Sequence, residues 1–371
     1  MKRFLLPFVA AGLIASTQYA GAQTQGRVSP RRTAVRRPPT SPPVDPTDGD
    51  NVDGEDLTVR RAAVAALGTT RGSVVVADPN TGRILTMVNQ KLGLQAGFTP
   101  CSTIKLVTSL AALNEHVVER DTVIHISRYT SFNLTTAVAH SNNDYFATLG
   151  TRLGFERVTR YAQMLGLGEK AGWEIPGEQP GSVASAPPKG GGMGMMTAYG
   201  EGFLVTPLEL TALVSSIANN GTLYYLQYPR SDSEVFHFAP KVKRTLELDP
   251  RSFADLKLGM RGAVDFGTAT RAAYALDEPV LGKTGTCTDF SSSNHMGWFG
   301  SFNDVGSHQL VVVVMLAAVN RSVNGPVASG VAGAIYKSLS EQRYFTADGG
   351  DKQPSAFPIL VSTPTAAVAK R

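Results

Sequence analysis

The chain has 371 residues, 42% of them hydrophobic, and a formal net charge of +5. This is enough for a sizeable core in one large domain or two small ones. So weak a charge bias does not favour a nucleic-acid partner.

The first 22 residues have the pattern of a secretory signal peptide. A positive start is followed by an apolar run over 4–17, and small residues stand at Ala20 and Ala22. Signal peptidases recognise small residues at these two positions, so cleavage is expected after Ala22. An uncleaved membrane anchor is the alternative, but the apolar run is shorter than the roughly 20 residues that a span needs. We expect a periplasmic or secreted protein, in a compartment where cysteines can form a disulfide.

Residues 23–56 are rich in Pro, Thr, Arg and Asp and have no apolar periodicity. The sequence therefore predicts a disordered linker. Its five arginines between Arg27 and Arg37 are suited to weak contact with an anionic membrane or cell-wall polymer, although a solvated tether is the simpler interpretation. A folded domain is expected over 57–345, and residues 346–371 are predicted to be a C-terminal tail.

The first part of the domain is predicted to contain a helix, a hairpin and a second helix. Apolar spacing indicates a helix over 57–67, and two strand-like segments follow over 72–77 and 83–89. The turn residues of 78–82 join these strands into a β-hairpin. A helix is then predicted from about 102 to 115, and a largely helical middle follows.

Three strands are predicted near the end of the domain, over 280–288, 296–302 and 310–318, and a helix over 330–339 closes it. The order is helix, two strands, many helices, three strands, helix. It predicts an α+β fold with a mostly antiparallel five-stranded sheet covered by helices and an all-helical subdomain.

Ser102 and Lys105 stand at the start of the second predicted helix. Residues three apart on a helix share a face, and the positive helix N-terminus favours a developing anion. A serine hydroxyl is a poor nucleophile until a base takes its proton. A lysine amine can be that base where burial or a nearby cation lowers its pKa. Alone the motif is weak, because S-x-x-K arises about once by chance in a chain of this length.

Ser141-Asn142-Asn143 is a second polar motif. Ser141 is placed to relay a proton between the lysine and a leaving group, and Asn143 to hold a substrate amide. Alone this motif is very weak, because Ser and Asn also form turns and helix caps.

Lys283-Thr284-Gly285-Thr286 lies on a predicted strand near the C-terminus. The amine of Lys283 and the hydroxyls of Thr284 and Thr286 can bind a substrate carboxylate. Gly285 is expected to let a substrate approach the backbone. A K-T-G triplet is much rarer by chance than S-x-x-K, and a turn between strands is its alternative explanation.

The three motifs occur in the order and structural context that mark penicillin-binding proteins and β-lactamases. The chain resembles this superfamily over roughly 70–340, and resembles the transpeptidase domain of penicillin-binding proteins more closely than any β-lactamase. The segments that carry the closer resemblance are Phe98-Thr99-Pro100-Cys101-Ser102, Leu165-Gly166-Leu167-Gly168, Ile175-Pro176-Gly177-Glu178, Tyr199-Gly200-Glu201-Gly202, Val205-Thr206-Pro207-Leu208-Glu209-Leu210 and Gly267-Thr268-Ala269.

The resemblance implies acyl transfer through a serine ester. Lys105 would deprotonate Ser102, which would attack the carbonyl of a D-Ala-D-Ala peptide bond or of a β-lactam ring. Backbone N–H groups of Ser102 and Thr286 would form the oxyanion hole. Peptidoglycan stem peptides and β-lactams are the expected partners, and no metal or organic cofactor is implied.

The two cysteines flank two of these motifs. Cys101 precedes the serine, where the related transpeptidases usually have Gly, and Cys287 follows Thr286. The pair resembles the disulfide of some class A β-lactamases with carbapenemase activity, which implies a Cys101–Cys287 bond. Such a bond needs Cα atoms within about 7 Å, and two free buried thiols are the alternative.

The group that attacks the acyl-enzyme determines the reaction. An amine gives a D,D-transpeptidase, and water gives a D,D-carboxypeptidase or a β-lactamase. Class A β-lactamases resemble this chain but carry a deacylating Glu with an Asn four residues later, where this sequence has Glu174 followed by Glu178. This favours a transpeptidase or carboxypeptidase. A β-lactamase and a non-catalytic β-lactam or muropeptide sensor remain alternatives.

Overall fold

A computed structural model of the chain describes residues 45–289, 292–305 and 309–346. The predicted signal peptide, the arginine-rich stretch and the predicted tail beyond residue 346 lie outside these residues. Among the described residues, no helix combines the length and the apolar character needed to cross a bilayer.

The secondary structure follows the predicted order. The strands are β1 (Gly72–Ala77), β2 (Ile84–Val88), β3 (Ile124–His125), β4 (Ser131–Phe132), β5 (Ser182–Val183), β6 (Phe203–Leu204), β7 (Thr222–Tyr224), β8 (Val242–Thr245), β9 (Val280–Thr288), β10 (His295–Asn303) and β11 (Val311–Ala318). The helices are α1 (Leu57–Leu67), α2 (Gln90–Gly93), α3 (Lys105–Asn114), α4 (Leu134–Ala139), α5 (Asn143–Leu153), α6 (Phe155–Met164), α7 (Gly192–Tyr199), α8 (Pro207–Ala218), α9 (Asp232–Phe236), α10 (Pro250–Asp265) and α11 (Gly325–Glu341). Single 3-10 turns cover Cys101–Ile104 and Thr270–Ala272.

A five-stranded sheet with the order β2-β1-β11-β10-β9 forms the centre of the domain. Every neighbouring pair is antiparallel, as predicted. The hairpin turn between β1 and β2 is held by Asp78, whose carboxylate accepts from the Asn80 N–H and the Thr81 hydroxyl at 2.8 and 2.7 Å. β9 is the last strand in this order, and it carries the K-T-G motif.

The two faces of the sheet bury different helices, because side chains alternate along each strand. Val74 and Val314 lie in the cluster formed with α1 and α11. Val313 and Trp298 lie in a larger cluster that contains α8 and the helical subdomain of α3 to α7 with α10. The predicted α+β fold with a helical subdomain is confirmed.

Part of the predicted linker makes buried contacts with α1. Residues 45–56 were expected to belong to the linker, yet Asp50 and Glu55 pair with Arg60 at 2.7 and 3.1 Å, and all three side chains are buried. Asp56 caps α1 by accepting from two N–H groups of its first turn. The acidic run suggested solvated charge, but Arg60 lies on the buried side of α1 and recruits these carboxylates.

A buried carboxylate anchors α8. Thr206 and Glu209 form a capping box at its N-terminus, in which the Glu209 carboxylate accepts from the Thr206 N–H at 2.7 Å. The same carboxylate accepts from the N–H groups of Gly168 and Gly181 at 2.8 and 3.0 Å. Glu209 therefore fixes the loop between α6 and β5 against α8, which packs on the sheet. Burial raises the pKa of Glu209 to about 7.

We predict that Glu209→Gln gains stability relative to the unchanged protein as the pH rises. The folded-state pKa of Glu209 lies above its ordinary value of 4.5. The stability contributed by the protonated Glu209 carboxyl is therefore full below the ordinary pKa and is lost as the pH rises past about 7. Urea unfolding at pH 5 and at pH 8 measures the difference in the free energy of unfolding between the two proteins. This difference should change by about 2 kcal/mol between the two pH values. A difference that does not vary with pH would contradict the shift.

Candidate active site

The amine of Lys105 lies at the meeting point of the first two motifs. Lys105 begins α3, directly after the 3-10 turn that carries Ser102, and its side chain is fully buried. Its Nζ lies 3.0 Å from the Ser102 Oγ, 3.1 Å from the Ser141 Oγ and 2.8 Å from the Ser141 carbonyl oxygen. It also lies 2.6 Å from the Asn143 Oδ1. The structure therefore brings together these four residues, which the sequence singled out.

The surroundings of this amine favour its neutral form. Burial, followed by the nearby charge of Lys283, holds the pKa of Lys105 well below its ordinary value of 10.5. A neutral amine has two hydrogens and one lone pair. The carbonyl oxygens of Ser141 and Asn143 can only accept, so they take the two hydrogens. The lone pair then remains for the hydroxyl proton of Ser102, which is the arrangement that a general base requires.

The second motif is shaped by its backbone. Ser141 has a φ of 55°, in the left-handed region, and both its carbonyl oxygen and its hydroxyl contact the Lys105 amine. Asn142 caps α5 by accepting from the Tyr145 N–H. Asn143 then begins the helix and donates to the Tyr199 hydroxyl at 2.9 Å. The turn before α5 and the first residue of that helix therefore place three oxygens around the Lys105 amine.

The third motif is held from both sides of β9. Lys283 is fully buried, burial lowers its pKa to about 7, and its Nζ donates to the Thr284 carbonyl at 3.0 Å. The Thr284 hydroxyl is 2.6 Å from the Thr268 hydroxyl. Thr286 is exposed, and its hydroxyl accepts from the N–H of Gly325 at 2.8 Å. Its own hydroxyl proton is therefore directed elsewhere and is available to a ligand.

The packing around Gly285 leaves no room for a side chain. A Cβ built on Gly285 would lie 2.9 Å from the Pro100 carbonyl oxygen, 3.1 Å from Trp298 Cβ and 3.2 Å from Thr103 Cγ2. The side of Gly285 on which a Cβ would lie is therefore occupied by the protein itself, and the predicted approach of a substrate to the Gly285 backbone stays a prediction. Glycine is required there because the segment around the serine packs directly on β9.

The predicted disulfide is present in the structure. Cys101 and Cys287 are bonded, with their Cα atoms 5.5 Å apart. Cys101 has a φ of 52°, in the left-handed region that favours glycine. This explains why related transpeptidases usually have Gly at this position, and it means that the cysteine occupies a strained backbone conformation.

Several residues at the site had no predicted role. Thr268 and Tyr199 contact Thr284 and Asn143, and Gly325 contacts Thr286. Thr268 and Tyr199 belong to segments that carry the family resemblance, so a signal for them existed. Gly325 follows the cap of α11 and is remote from all three motifs in the sequence, and only the fold reveals its position.

The two glutamates that stand where class A β-lactamases have a Glu and an Asn, Glu174 and Glu178, have different surroundings. Glu178 is buried, and its carboxylate accepts from the N–H groups of Ala171 and Gly172 at 2.8 and 3.0 Å. Glu174 is exposed. Glu178 therefore closes its own loop, which agrees with the sequence-based interpretation that this segment lacks the β-lactamase arrangement.

Comparison with known proteins identifies the class to which this fold and this serine–lysine site belong. Residues 72–338 match the family described as the penicillin binding protein transpeptidase domain. This match covers most of the chain. The chain therefore belongs to the penicillin-binding protein transpeptidase family, as the resemblance implied.

Individual relatives agree with this assignment. The chain is 29% identical over 284 residues to stage V sporulation protein D of Bacillus subtilis, covering 68% of this chain and 44% of that protein. It is 22% identical over 303 residues to the peptidoglycan D,D-transpeptidase MrdA of Acinetobacter baumannii, covering 65% of this chain and 45% of that protein. The chain thus spans less than half the length of either relative.

Two solved structures share the fold. A peptidoglycan glycosyltransferase from Burkholderia ambifaria superposes with a TM-score of 0.66 at 20% identity, covering 82% of this chain and 99% of that chain. The D,D-transpeptidase domain of a peptidoglycan glycosyltransferase from Eggerthella lenta gives 0.62 at 21% identity, covering 77% of this chain and 82% of that chain. At these identities the likeness concerns the fold alone.

We predict that removing the disulfide destabilises the fold by up to about 5 kcal/mol, because the bond closes a loop of 186 residues. Urea unfolding with and without reductant measures this loss. Cys101→Gly/Cys287→Ser should retain about 1 kcal/mol more stability than Cys101→Ala/Cys287→Ser, because the backbone at residue 101 favours glycine. An unchanged unfolding midpoint in reductant would contradict the prediction.

We predict a bell-shaped pH dependence for acylation of the free protein. The second-order rate constant should rise as Lys105 loses its proton, and should fall as the pH passes the pKa of Lys283, about 7. Lys283→Arg cannot lose its charge in this range and should abolish the alkaline fall. Stopped-flow acylation across the pH range measures both limbs. If the rate constant still falls at alkaline pH in Lys283→Arg, the fall is caused by the titration of another group.

Proposed function

We propose that this chain is a penicillin-binding, active-site-serine D,D-transpeptidase or D,D-carboxypeptidase. It acts on the D-Ala-D-Ala ends of peptidoglycan stem peptides through an acyl-enzyme on Ser102. The observation that carries the proposal is the buried Lys105 amine, which lies within hydrogen-bond distance of Ser102, Ser141 and Asn143. The named transpeptidases among its relatives support the same reaction class.

In the proposed first step, the Ser102 oxygen attacks the substrate carbonyl while its proton passes to the lone pair of Lys105. The tetrahedral oxyanion is bound by the backbone N–H groups of Ser102 and Thr286. Each such donor lowers the barrier by about 3 kcal/mol. Collapse of the intermediate expels the leaving nitrogen, and the Ser141 hydroxyl relays the proton from Lys105 to it. With a peptide the products are an ester on Ser102 and free D-alanine, and with a β-lactam the single product is the ring-opened ester on Ser102.

The proposed carboxylate site lies along β9 and beside α11. Lys283 provides a positive charge below its pKa of about 7, and Thr286 offers the hydroxyl proton that Gly325 leaves free. Thr284 is held in place by Thr268. The N-terminus of α11, close to these hydroxyls, adds a positive partial charge. A terminal carboxylate of D-Ala-D-Ala or of a β-lactam fits this set of donors.

The proposed setting is the cell envelope, after cleavage of the predicted signal peptide. Peptidoglycan stem peptides and β-lactams are the proposed ligands. Weak contact of the Arg27–Arg37 stretch with a cell-wall polymer or a membrane surface remains a prediction.

We predict that a fluorescent penicillin labels the protein stoichiometrically on Ser102 and that a chromogenic cephalosporin gives a burst of about one equivalent followed by slow turnover. Ser102→Ala should abolish both signals. Ser109→Ala is the matched control, since Ser109 is a buried serine of α3, the helix that follows the Ser102 turn, and its hydroxyl donates to the Lys105 carbonyl at 2.7 Å. This variant should still be labelled.

The same assay separates the alternatives. Rapid continuous turnover of the cephalosporin would identify a β-lactamase. A stable adduct without D-alanine release from a D-Ala-D-Ala peptide, with or without an added D-amino acid acceptor, would indicate a sensor. Absence of labelling in the unchanged protein would contradict the proposal as a whole.

A further inference from the structure

The segment around the nucleophile contacts β9 and Asp289, which directly follows it, at three places. Thr103 contacts the space beside Gly285, Cys101 is bonded to Cys287, and Thr99 is hydrogen-bonded to Asp289. From one pair to the next, the residue number falls by two in the first segment and rises by two in the second. These three contacts, called rungs below, tie the segment around the nucleophile to β9 and to Asp289.

Ser102 and Thr286 each lie, in sequence, between two of these contacts. The two residues lie between the glycine rung at 103 and 285 and the disulfide rung at 101 and 287. They are also the residues whose N–H groups form the oxyanion hole under the proposed function. The separation of these two donors is therefore controlled by the rungs on either side of them.

The outermost rung is a buried carboxylate. Asp289 and Thr99 are 2% and 1% exposed. One oxygen of Asp289 accepts from the Thr99 hydroxyl at 2.7 Å and from the Thr99 N–H at 3.1 Å, and the other accepts from the Ser292 hydroxyl at 2.5 Å. The indole N–H of Trp298 donates to the Thr99 carbonyl at 3.0 Å. The hydroxyl, the N–H and the carbonyl of Thr99 are thus all held by β9, β10 or the connection that begins at Asp289.

We propose that Asp289 is a positioning residue for acylation, which acts through Thr99. Its hydrogen bonds to Thr99 and the disulfide are two separate ties, and each of them holds the segment that carries Ser102 against β9. This inference rests on the proposed function. Either tie keeps the nucleophile segment against β9 when the other is lost. Loss of both lets the segment shift away from β9, which widens the oxyanion hole. Displacements of about 1 Å at a reacting centre cost about a hundredfold in rate.

A double-mutant cycle tests this two-tie arrangement. The acylation rate constant and the dissociation constant of the initial complex are measured with a fluorescent penicillin for the unchanged protein, Asp289→Ala, Cys287→Ser and the double variant. Each single change should slow acylation by less than about tenfold. The double variant should be slower than the product of the two single effects by about tenfold or more, because coupled residues are not additive. The dissociation constant should change much less than the rate constant, because the oxyanion hole binds the transition state.

Two controls separate positioning from general stability. Asp289→Asn keeps an acceptor for the Thr99 hydroxyl, so in the Cys287→Ser background it should leave the acylation rate constant within about threefold of that of the Cys287→Ser single variant. Glu178→Gln alters another buried carboxylate that accepts backbone N–H bonds, and it should lower stability without slowing acylation of the folded protein. Folding of every variant is checked by near-ultraviolet circular dichroism at the assay temperature.

The outcomes distinguish this inference from the proposed function. One outcome is that the unchanged protein is labelled and the slowing of acylation in the double variant equals the product of the slowing in the two single variants. That outcome would overturn the two-tie arrangement and leave the proposed function intact. Unaltered acylation in Asp289→Ala and in the double variant would do the same. If the unchanged protein is not labelled, the proposed function fails and the inference fails with it.

Discussion

The amine of Lys105 can act as a base only while water is kept from it. An ammonium group in water keeps its proton up to high pH, and burial is the first cause of the lowered pKa of Lys105. The residues of α3 from Lys105 to Leu113 are buried, and the Phe146 ring of α5 lies 5.4 Å from the Lys105 Nζ. The helical subdomain thus has a chemical consequence beyond stability, because its packing on the sheet excludes water from the amine.

A second requirement is that this helical part meet β9 at a fixed separation. Gly285 permits the approach, because any Cβ would collide with Pro100 or Trp298. Cys101 fixes it covalently, although its left-handed backbone costs on the order of 1 kcal/mol. The disulfide offsets this cost severalfold through the unfolded state. A residue that is unfavourable by local backbone preference is therefore consistent with the whole fold, since it gains a bond that glycine could not form.

The sequence predicted features whose signals are local or come from the family resemblance. Alternating apolar residues and the 78–82 turn predict the hairpin, and the three-residue spacing of Ser102 and Lys105 predicts a shared helix face. Pairings between distant residues have no such signal. The bond between Thr99 and Asp289 joins residues 190 positions apart. The contacts of Asp50 and Glu55 were not predicted for the same reason, since the acidic run resembles a solvated linker until Arg60 is seen buried beside it.

Three buried carboxylates bear on the fate of the proposed ester. Glu178 and Glu209 are committed to backbone N–H groups that hold loops, and Glu55 is paired with Arg60. A carboxylate whose lone pairs are engaged in this way is poorly suited to deprotonate an attacking water. General-base catalysis by a positioned group is worth about 10²–10⁴ in rate, so an ester without it is hydrolysed slowly by that factor. An amine is a better nucleophile than water and depends less on a base. Because these three acids hold the fold, none of them is a candidate for the deacylating base, and this supports the proposed peptide transfer over β-lactam hydrolysis.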